Sequence, residues 1–354
     1  MKALVLSGGS GTRLRPFSYS IPKQLIPIAN KPVLEHVLEN LRALGITEAG
    51  VVVEAGSARI RDAIGDGARL AMKITYLPQD EPRGLAHCVA IARDFLGDDD
   101  FVMYLGDNML PEGVATHAAR FTAARPDAQV VVRKVADPHA FGVAEFRPDG
   151  TLARVVEKPR EPRSDLALIG VYFFTPAIHR AVGAIQPSSR GELEITDAIQ
   201  WLIEHGGVVK AVEHTGYWRD VGRAEDVLDC NRRYLGALTP SVDGQVDAAS
   251  RVRGPVVIEP GTRVLRSSVE GPALIGRGTV IEDSHVGPGT SIGRGCTLRG
   301  ARLRNSVVMD EASVSGLSDL RDSIIGRGAI ICVPPRDGAY RLVVGDSTRI
   351  EPAA

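Results

Sequence analysis

The sequence lacks a surplus of charge of either sign. Its 42 Lys and Arg stand against 43 Asp and Glu, for a formal net charge of -1. A general binder of nucleic acid or of an acidic membrane surface needs a basic excess, so neither class of partner is expected, and only a local basic pocket for phosphates stays open. Cysteine is scarce. The 4 present, Cys88, Cys230, Cys296 and Cys332, show no CxxC spacing, which argues against a disulfide framework and against a zinc site. No apolar run approaches the roughly 18 residues that a membrane-crossing helix needs. Met1 to Leu6 runs straight into glycines and lacks the length and cleavage site of a signal peptide, so a cytoplasmic enzyme is expected.

What is present divides into two grammars. A chain of 354 residues is long for one domain and comfortable for two. The first part alternates apolar strand-like runs with helical spacing. Ala3 to Leu6, Val51 to Val53, Ile74 to Leu77, Phe101 to Leu105 and Val130 to Val132 read as strands. Val33, Leu34, Val37, Leu38, Leu41 and Leu44 mark a helix that Gly45 stops, and a second helix is expected over Leu85 to Phe95. Such alternation predicts an α/β fold with a doubly wound, mostly parallel sheet.

From about residue 250 the rhythm changes to an apolar residue at every sixth position. The trains are Val252, Ile258, Val264; then Leu274, Val280, Val286, Ile292, Leu298; then Val308, Val314, Leu320, with glycines between. A six-residue period with small turn residues predicts a left-handed parallel β-helix, and the slips between trains predict irregular coils. The expected division is a catalytic domain over 1–240 and a β-helix domain over 241–354.

Several short motifs carry chemistry. Gly8, Gly9 and Gly11 follow the first strand, where glycines let backbone N–H groups approach a phosphate, and Arg13 adds a fixed cationic fork. No GK[ST] follows, and the third glycine of GxGxxG is absent, so this is neither a Walker loop nor a dinucleotide fingerprint. Lys23 is either a second phosphate cation or a solvated surface lysine. Asp107 ends an apolar strand, where open α/β sheets bind ligands; it is either a Mg²⁺ ligand or a turn cap. Glu157 and Lys158 are adjacent, so both face one ligand only if the strand ends or bulges there, and a surface ion pair is the alternative. Asp220 is a second strand-end carboxylate able to share a Mg²⁺ with Asp107.

The order GGSGTRLRP, PKQL, QDEPRGLAH, LGDN, FGVAEF, VEKP, RGELEITD and WRDVG resembles the sugar-1-phosphate nucleotidylyltransferases over nearly the whole chain. Within them it is similar to the long-form thymidylyltransferases, whose C-terminal left-handed β-helix the six-residue period matches. The resemblance implies a Rossmann-like nucleotidyltransferase domain that condenses dTTP with glucose 1-phosphate, with Mg²⁺ as cofactor, to give dTDP-glucose and pyrophosphate. It implies that Leu6, Gly8, Gly9, Gly11, Thr12 and Arg13 bind the triphosphate and that Lys23 stabilises charge at the α-phosphate. Gln79 and Gly84 would read the pyrimidine. Asp107 and Asp220 would hold the metal. Gly142, Glu157 and Gly170 would contact sugar hydroxyls, and Lys158 would neutralise the sugar phosphate, so that Arg13, Lys23 and Lys158 are the catalytic cations.

No general base is needed, because the attacking phosphate oxygen is already anionic, and the histidines, His87 and His139 among them, read as structural or incidental. Alternatives are a uridylyl- or adenylyltransferase, another hexose 1-phosphate, or acyl transfer through the β-helix, where His285 stands alone as a histidine. The β-helix, with stackable coil ends, is expected to assemble a closed homo-oligomer.

Overall fold

A computed structural model describes residues 1–9, 11–333 and 338–351. Contacts within the chain group these residues into two compact units, Met1–Gly9 with Leu34–Asp220, and Ser10–Val33 with Val221–Ala354. The C-terminal unit thus takes a piece of the N-terminal chain with it, which a boundary drawn along the sequence does not show.

The first unit is built on a nine-stranded sheet. Its strands are β1 (Lys2–Leu6), β2 (Glu48–Glu54), β3 (Lys73–Gln79) and β4 (Phe101–Leu105), with a short β5 (Asn108–Met109) outside the sheet. They continue as β6 (Ala128–Lys134), β7 (Gly142–Phe146), β8 (Leu152–Glu157), β9 (Leu166–Phe174) and β10 (Val209–Glu213), and a short β11 (Arg219–Asp220) pairs with β5. β1 lies between β2 and β4, all parallel, and β3 extends the series beyond β2. β9 then enters antiparallel beside β4, and pairs also with β6 and β7. The expected doubly wound sheet is therefore parallel on its N-terminal side and mixed beyond β4.

β1 is apolar without alternation because both faces are covered, as parallel sheets require. Leu4 and Leu6 join Met103, Val130 and Phe174 in one core with Ala86, Val89, Ala198, Ile199 and Leu202. The expected first helix is Val33–Ala43, and Val33, Leu34, Val37, Leu38 and Leu41 are all buried. The expected Leu85 to Phe95 helix forms as Leu85–Ile91 followed by a short turn, Arg93–Leu96.

The second unit contains three sheets of 7, 7 and 5 strands, and the strands pair in parallel, coil upon coil. This arrangement is consistent with a left-handed parallel β-helix. Successive coils repeat mostly every 17 residues, visible in the serine ladder where Ser267 N–H donates to Ser250 Oγ and Ser284 N–H to Ser267 Oγ. One residue fewer than three hexads explains the slipping period. The inward aliphatic row runs Ile258, Val264, Val269, Ile275, Ile281, Val286, Ile292, Leu298, all fully buried. One side of each coil advances by five residues instead of six, so the inward residues near the expected Leu274 and Val280 are Ile275 and Ile281.

The N-terminal segment is tied to this unit through Asn231 on the helix Ala224–Leu235. The Asn231 side chain is fully buried and satisfied: Oδ1 accepts from Ala29 N–H and Ser291 Oγ, both at 2.9 Å, and Nδ2 donates to Gly289 O at 3.1 Å. Asn30 Nδ2 donates to Ile292 O at 2.7 Å beside it.

Candidate active site

Parallel pairing brings the carboxyl ends of β1 to β4 to one edge of the sheet. Leu6 is in register with Val52 and Leu105, and Ser7 N–H continues the ladder to Val52 O at 2.9 Å. Gly8 follows, and a Cβ built there would lie 3.8 Å from Gln79 Oε1, at the end of β3. Leu6, Gly8 and Gln79 are therefore neighbours, although 70 residues of chain separate them. His87 holds Gln79 from behind: Gln79 Nε2 lies 3.0 Å from His87 Nδ1. Burial, then the nearby Arg83, pulls the His87 pKa below its ordinary value, so the neutral ring accepts from the amide and leaves Oε1 on the Gly8 side. Gly84 stands at the N-terminus of Leu85–Ile91, where Leu193 N–H donates to Arg83 O and Ala86 N–H to Leu193 O.

A cavity of about 170 Å³ opens beyond this edge. Asp107, Asn108, Gly142, Glu157, Lys158, Gly170, Trp218 and Asp220 all contribute to its wall. Two strand pairs account for that convergence. β5 and β11 pair antiparallel with Asn108 opposite Asp220, so Asp107, the residue before Asn108, and Asp220 line the same cavity. β7 and β8 pair with Gly142 opposite Glu157. β8 ends at Glu157, and Lys158 turns into the left-handed region at φ 40°, its N–H held by Phe141 O at 3.0 Å. The turn sends both side chains to the same cavity, as the sequence required. It also places a lysine in backbone strain, which functional sites commonly store.

Two glycines keep the cavity open. At Gly170, φ is 75° and a Cβ would lie 2.8 Å from Leu105 Cδ1 and 3.0 Å from Asn108 Nδ2. At Gly142 a Cβ would lie 2.8 Å from Thr196 Cγ2. Any side chain at either position would displace the wall.

The charges are ordered. Glu157 Oε2 accepts from Thr196 Oγ1 at 3.3 Å, while Oε1 lies 3.4 Å from both Lys158 Nζ and Arg190 Nη1. Arg190 also pairs with Glu192 and Glu194. Burial, then the charge of Glu157, raises the pKa of both Glu194 and Asp197. RGELEITD is thus an acidic cluster around one guanidinium that fixes Glu157 from outside the cavity. Sequence reasoning missed Asn108, Trp218, Thr196, Arg190 and the role of His87. Each of these residues lies within one of the motifs above, but nothing in the sequence says which side chain it meets, so the half-buried Trp218 indole gave no pointer to Asn108.

Gly11, Thr12, Arg13 and Lys23 belong to the second unit. Thr12–Leu14 forms a single 3-10 turn that leaves Arg13 exposed. A Cβ on Gly11 would lie 3.3 Å from Lys23 Cβ, so the base of the Lys23 side chain lies against Gly11. Among the described residues no group of three or more His, Cys, Asp or Glu could hold a metal, and no helix is long and apolar enough to cross a membrane.

Comparison with known proteins agrees with this geometry. Residues 2–236 match the nucleotidyl transferase family. The chain is 49% identical over 352 residues to a glucose-1-phosphate thymidylyltransferase of Streptomyces griseus, with 99% of each chain covered. It is 48% identical over 353 residues to the enzyme of that name from Streptomyces antibioticus, again covering 99% of each. Among solved structures, one from Bacillus anthracis assigned as a glucose-1-phosphate thymidylyltransferase superposes with a TM-score of 0.61 at 31% identity, covering 65% of this chain and 94% of that one. On this likeness and on the strand-end cavity the motifs converge to, the chain belongs to the nucleotidyl transferase family.

Proposed function

We propose that the protein condenses dTTP with glucose 1-phosphate to give dTDP-glucose and pyrophosphate. The observation that carries the reading is the meeting of Asp107, Asp220, Glu157 and Lys158 in one cavity at the strand ends. The full-length likeness to thymidylyltransferases supports the choice of nucleotide and sugar.

A phosphate oxygen of the sugar phosphate attacks the α-phosphorus. A new P–O bond forms, the bond to the β-phosphate bridge breaks, and pyrophosphate departs with that electron pair. The nucleophile is already an anion, so the obstacle is repulsion between two polyanions. Lys158 offsets the charge of the sugar phosphate, and Arg13 and Lys23 offset that of the triphosphate. Glu157, anchored by Thr196 and Arg190, accepts from sugar hydroxyls, for which Gly142 and Gly170 leave room. Gly8, Gly9, Gly11 and Thr12, with Leu6, take the phosphates, and Gln79 and Gly84 read the pyrimidine edge.

The donor set of Asp107 and Asp220 fits Mg²⁺, which takes one or two protein carboxylates and completes its shell with phosphate oxygens and water. When bound, the ion supplies positive charge against the phosphates. The proposed domains are 1–240 for catalysis and 241–354 for the β-helix, in a cytoplasmic enzyme that assembles through the β-helix; a monomer mass by light scattering would refute the assembly.

A pyrophosphate-release assay tests the function by crossing dTTP, UTP, ATP and GTP with glucose 1-phosphate and its 2-acetamido analogue. The highest kcat/KM is expected for dTTP with glucose 1-phosphate. A preference for UTP or for the 2-acetamido sugar overturns the named substrates, and no turnover with any pair overturns the activity.

A further inference from the structure

The second unit has a groove that the proposed reaction does not use. It is an open groove of about 930 Å³ lined by residues of the β-helix, with Arg251, Ser268, His285, Arg302, Asp319 and Arg321 along its length. The five-stranded face beneath it explains the shape. Val269, Val286, Leu303 and Leu320 point inward and are buried, so their neighbours in sequence point out. Arg251, Ser268, His285 and Arg302 are register partners on four successive coils. The parallel outer row contains Arg253 paired with Glu270, and Arg304 paired with Arg321. Gly287 lies beside Arg304, since a Cβ on it would meet Arg304 Cβ at 3.0 Å. Short residues in mid-face, Ser268 and Gly287, between long ones at either end make a trough.

The trough is basic in a chain that is not. Arg251, Arg266, Arg302, Arg321 and His285 line it against Asp283 and Asp319, and the adjoining cavity on the same face adds Arg304 and Glu270. Asp283 is paired with Arg266. Asp319 is engaged by Arg321, whose hydrogen bonds hold its carboxyl below the usual range, with Arg304 and Arg302 adding to the effect. Among the described residues, Arg251, Arg302 and Arg304 make no ion pair. Ser268 Oγ lies 2.6 Å from His285 Nδ1, which fixes the ring in the floor.

We propose that this groove binds a small diphosphate-bearing molecule. Every cation in the outer rows is Arg, none is Lys, and guanidinium forks match phosphate oxygens two at a time. Coils stack about 4.8 Å apart, so Arg251 and Arg302 stand about 14 Å from one another across three coils. That span exceeds a single phosphate. It suits a diphosphate held by Arg302 and Arg304, with an organic group lying over Ser268 and His285 toward Arg251. The volume of this open groove falls in the range of small-molecule sites, about 300–1,000 Å³. A second copy of the face would set like charges against each other, and the chain as a whole, at net charge -1, has no basic excess for a polymer or bilayer.

Calorimetric titration of the full chain with inorganic pyrophosphate, without added metal, tests the site. Because pyrophosphate is also a product of the proposed reaction, wild type is compared with Arg13→Ala, which removes a triphosphate cation of the proposed catalytic site, and with Arg302→Ala/Arg304→Ala. The double variant is expected to bind one class of pyrophosphate fewer, weakened about tenfold or more per lost fork, at unchanged turnover. Arg13→Ala keeps the groove site, so failure of the catalytic reading and failure of this one are separable. Arg251→Ala, at the far end, should leave pyrophosphate affinity within about twofold but weaken a nucleoside diphosphate, and it guards against misfolding of the double variant. Identical isotherms for wild type and the double variant overturn the proposal. So does binding of heparin or of phosphatidylserine vesicles through these arginines without binding of pyrophosphate.

Discussion

Trp218 Nε1 donates to Asn108 Oδ1 across 2.6 Å, and Asn108 in turn donates through Nδ2 to Asp107 Oδ1 across 3.0 Å. The indole also packs edge-on against Phe141, with ring centroids 5.5 Å apart. A carboxylate proposed to hold a metal is thus oriented by an amide, and the amide by an indole. Trp218→Phe keeps the ring and deletes the donor. The expected result is a loss of about 10- to 100-fold in metal affinity or in kcat/KM, the usual effect of an outer-shell partner. Initial rates against Mg²⁺ concentration check it. An unaltered Mg²⁺ dependence would show that the indole only fills space.

The carboxylates themselves give a sharper prediction. Asp107→Asn and Asp220→Asn nearly preserve shape and remove one charge each from the cavity wall. Each is expected to lower Mg²⁺-dependent pyrophosphate release by about 100-fold or more, on the scale of preorganised charge stabilisers. Chelation of the metal should reduce wild type to the same level. Near-normal release by both variants sinks the metal assignment.

Gln79 is positioned by His87, so His87→Ala is expected to free the Gln79 amide and raise KM for the nucleotide by about 2- to 10-fold, the worth of one neutral hydrogen bond. The effect on kcat should be small. The pH dependence has a definite sign. Nδ1 accepts only while the ring is neutral, and burial lowers the His87 pKa. KM should therefore be flat near neutral pH and rise on acidification. Nucleotide KM measured across pH 5 to 8 for wild type and variant decides the matter.

The motifs were legible because each is local. A strand end, a glycine and a charged residue occupy a few consecutive positions, and strand ends of a parallel sheet share an edge by topology. The partners that hold those residues were not legible, because they come from distant segments: Arg190 reaches Glu157 across 33 residues and Trp218 reaches Asn108 across 110. The β-helix showed the same divide. Its six-residue rhythm announced the coil, but the five-residue side of each coil shifted Leu274 and Val280 off the inward row. Only pairing with the next coil reveals which of two adjacent aliphatics points in. The grouping of residues 10–33 with the second unit rests on contacts such as those of Asn231, an unremarkable helix residue in the sequence.

A pair of buried histidines makes stability depend on pH. His214 Nε2 lies 3.1 Å from Tyr217 O, which can only accept, so His214 carries its proton on Nε2. His214 Nδ1 then accepts from His117 Nε2 at 3.1 Å. His117 Nδ1 is buried and has no hydrogen-bond partner, so a second proton there would find no acceptor. Burial first, then the neighbouring His214 and Arg120, pulls the His117 pKa down to about 4 from 6.5. The unfolded chain takes up this proton as pH falls through 6.5, whereas the folded chain resists until about 4. The contribution is fully present above pH 6.5 and is lost progressively toward 4. Tm should be nearly level at pH 7 to 8 and decline across that window. In His117→Gln, which cannot titrate, the decline should be shallower and the Tm at pH 7 lower, because the neutral pair is gone. Thermal unfolding of both proteins at half-unit pH steps checks the slope, and equal slopes would mean that His117 is already free to charge in the folded chain.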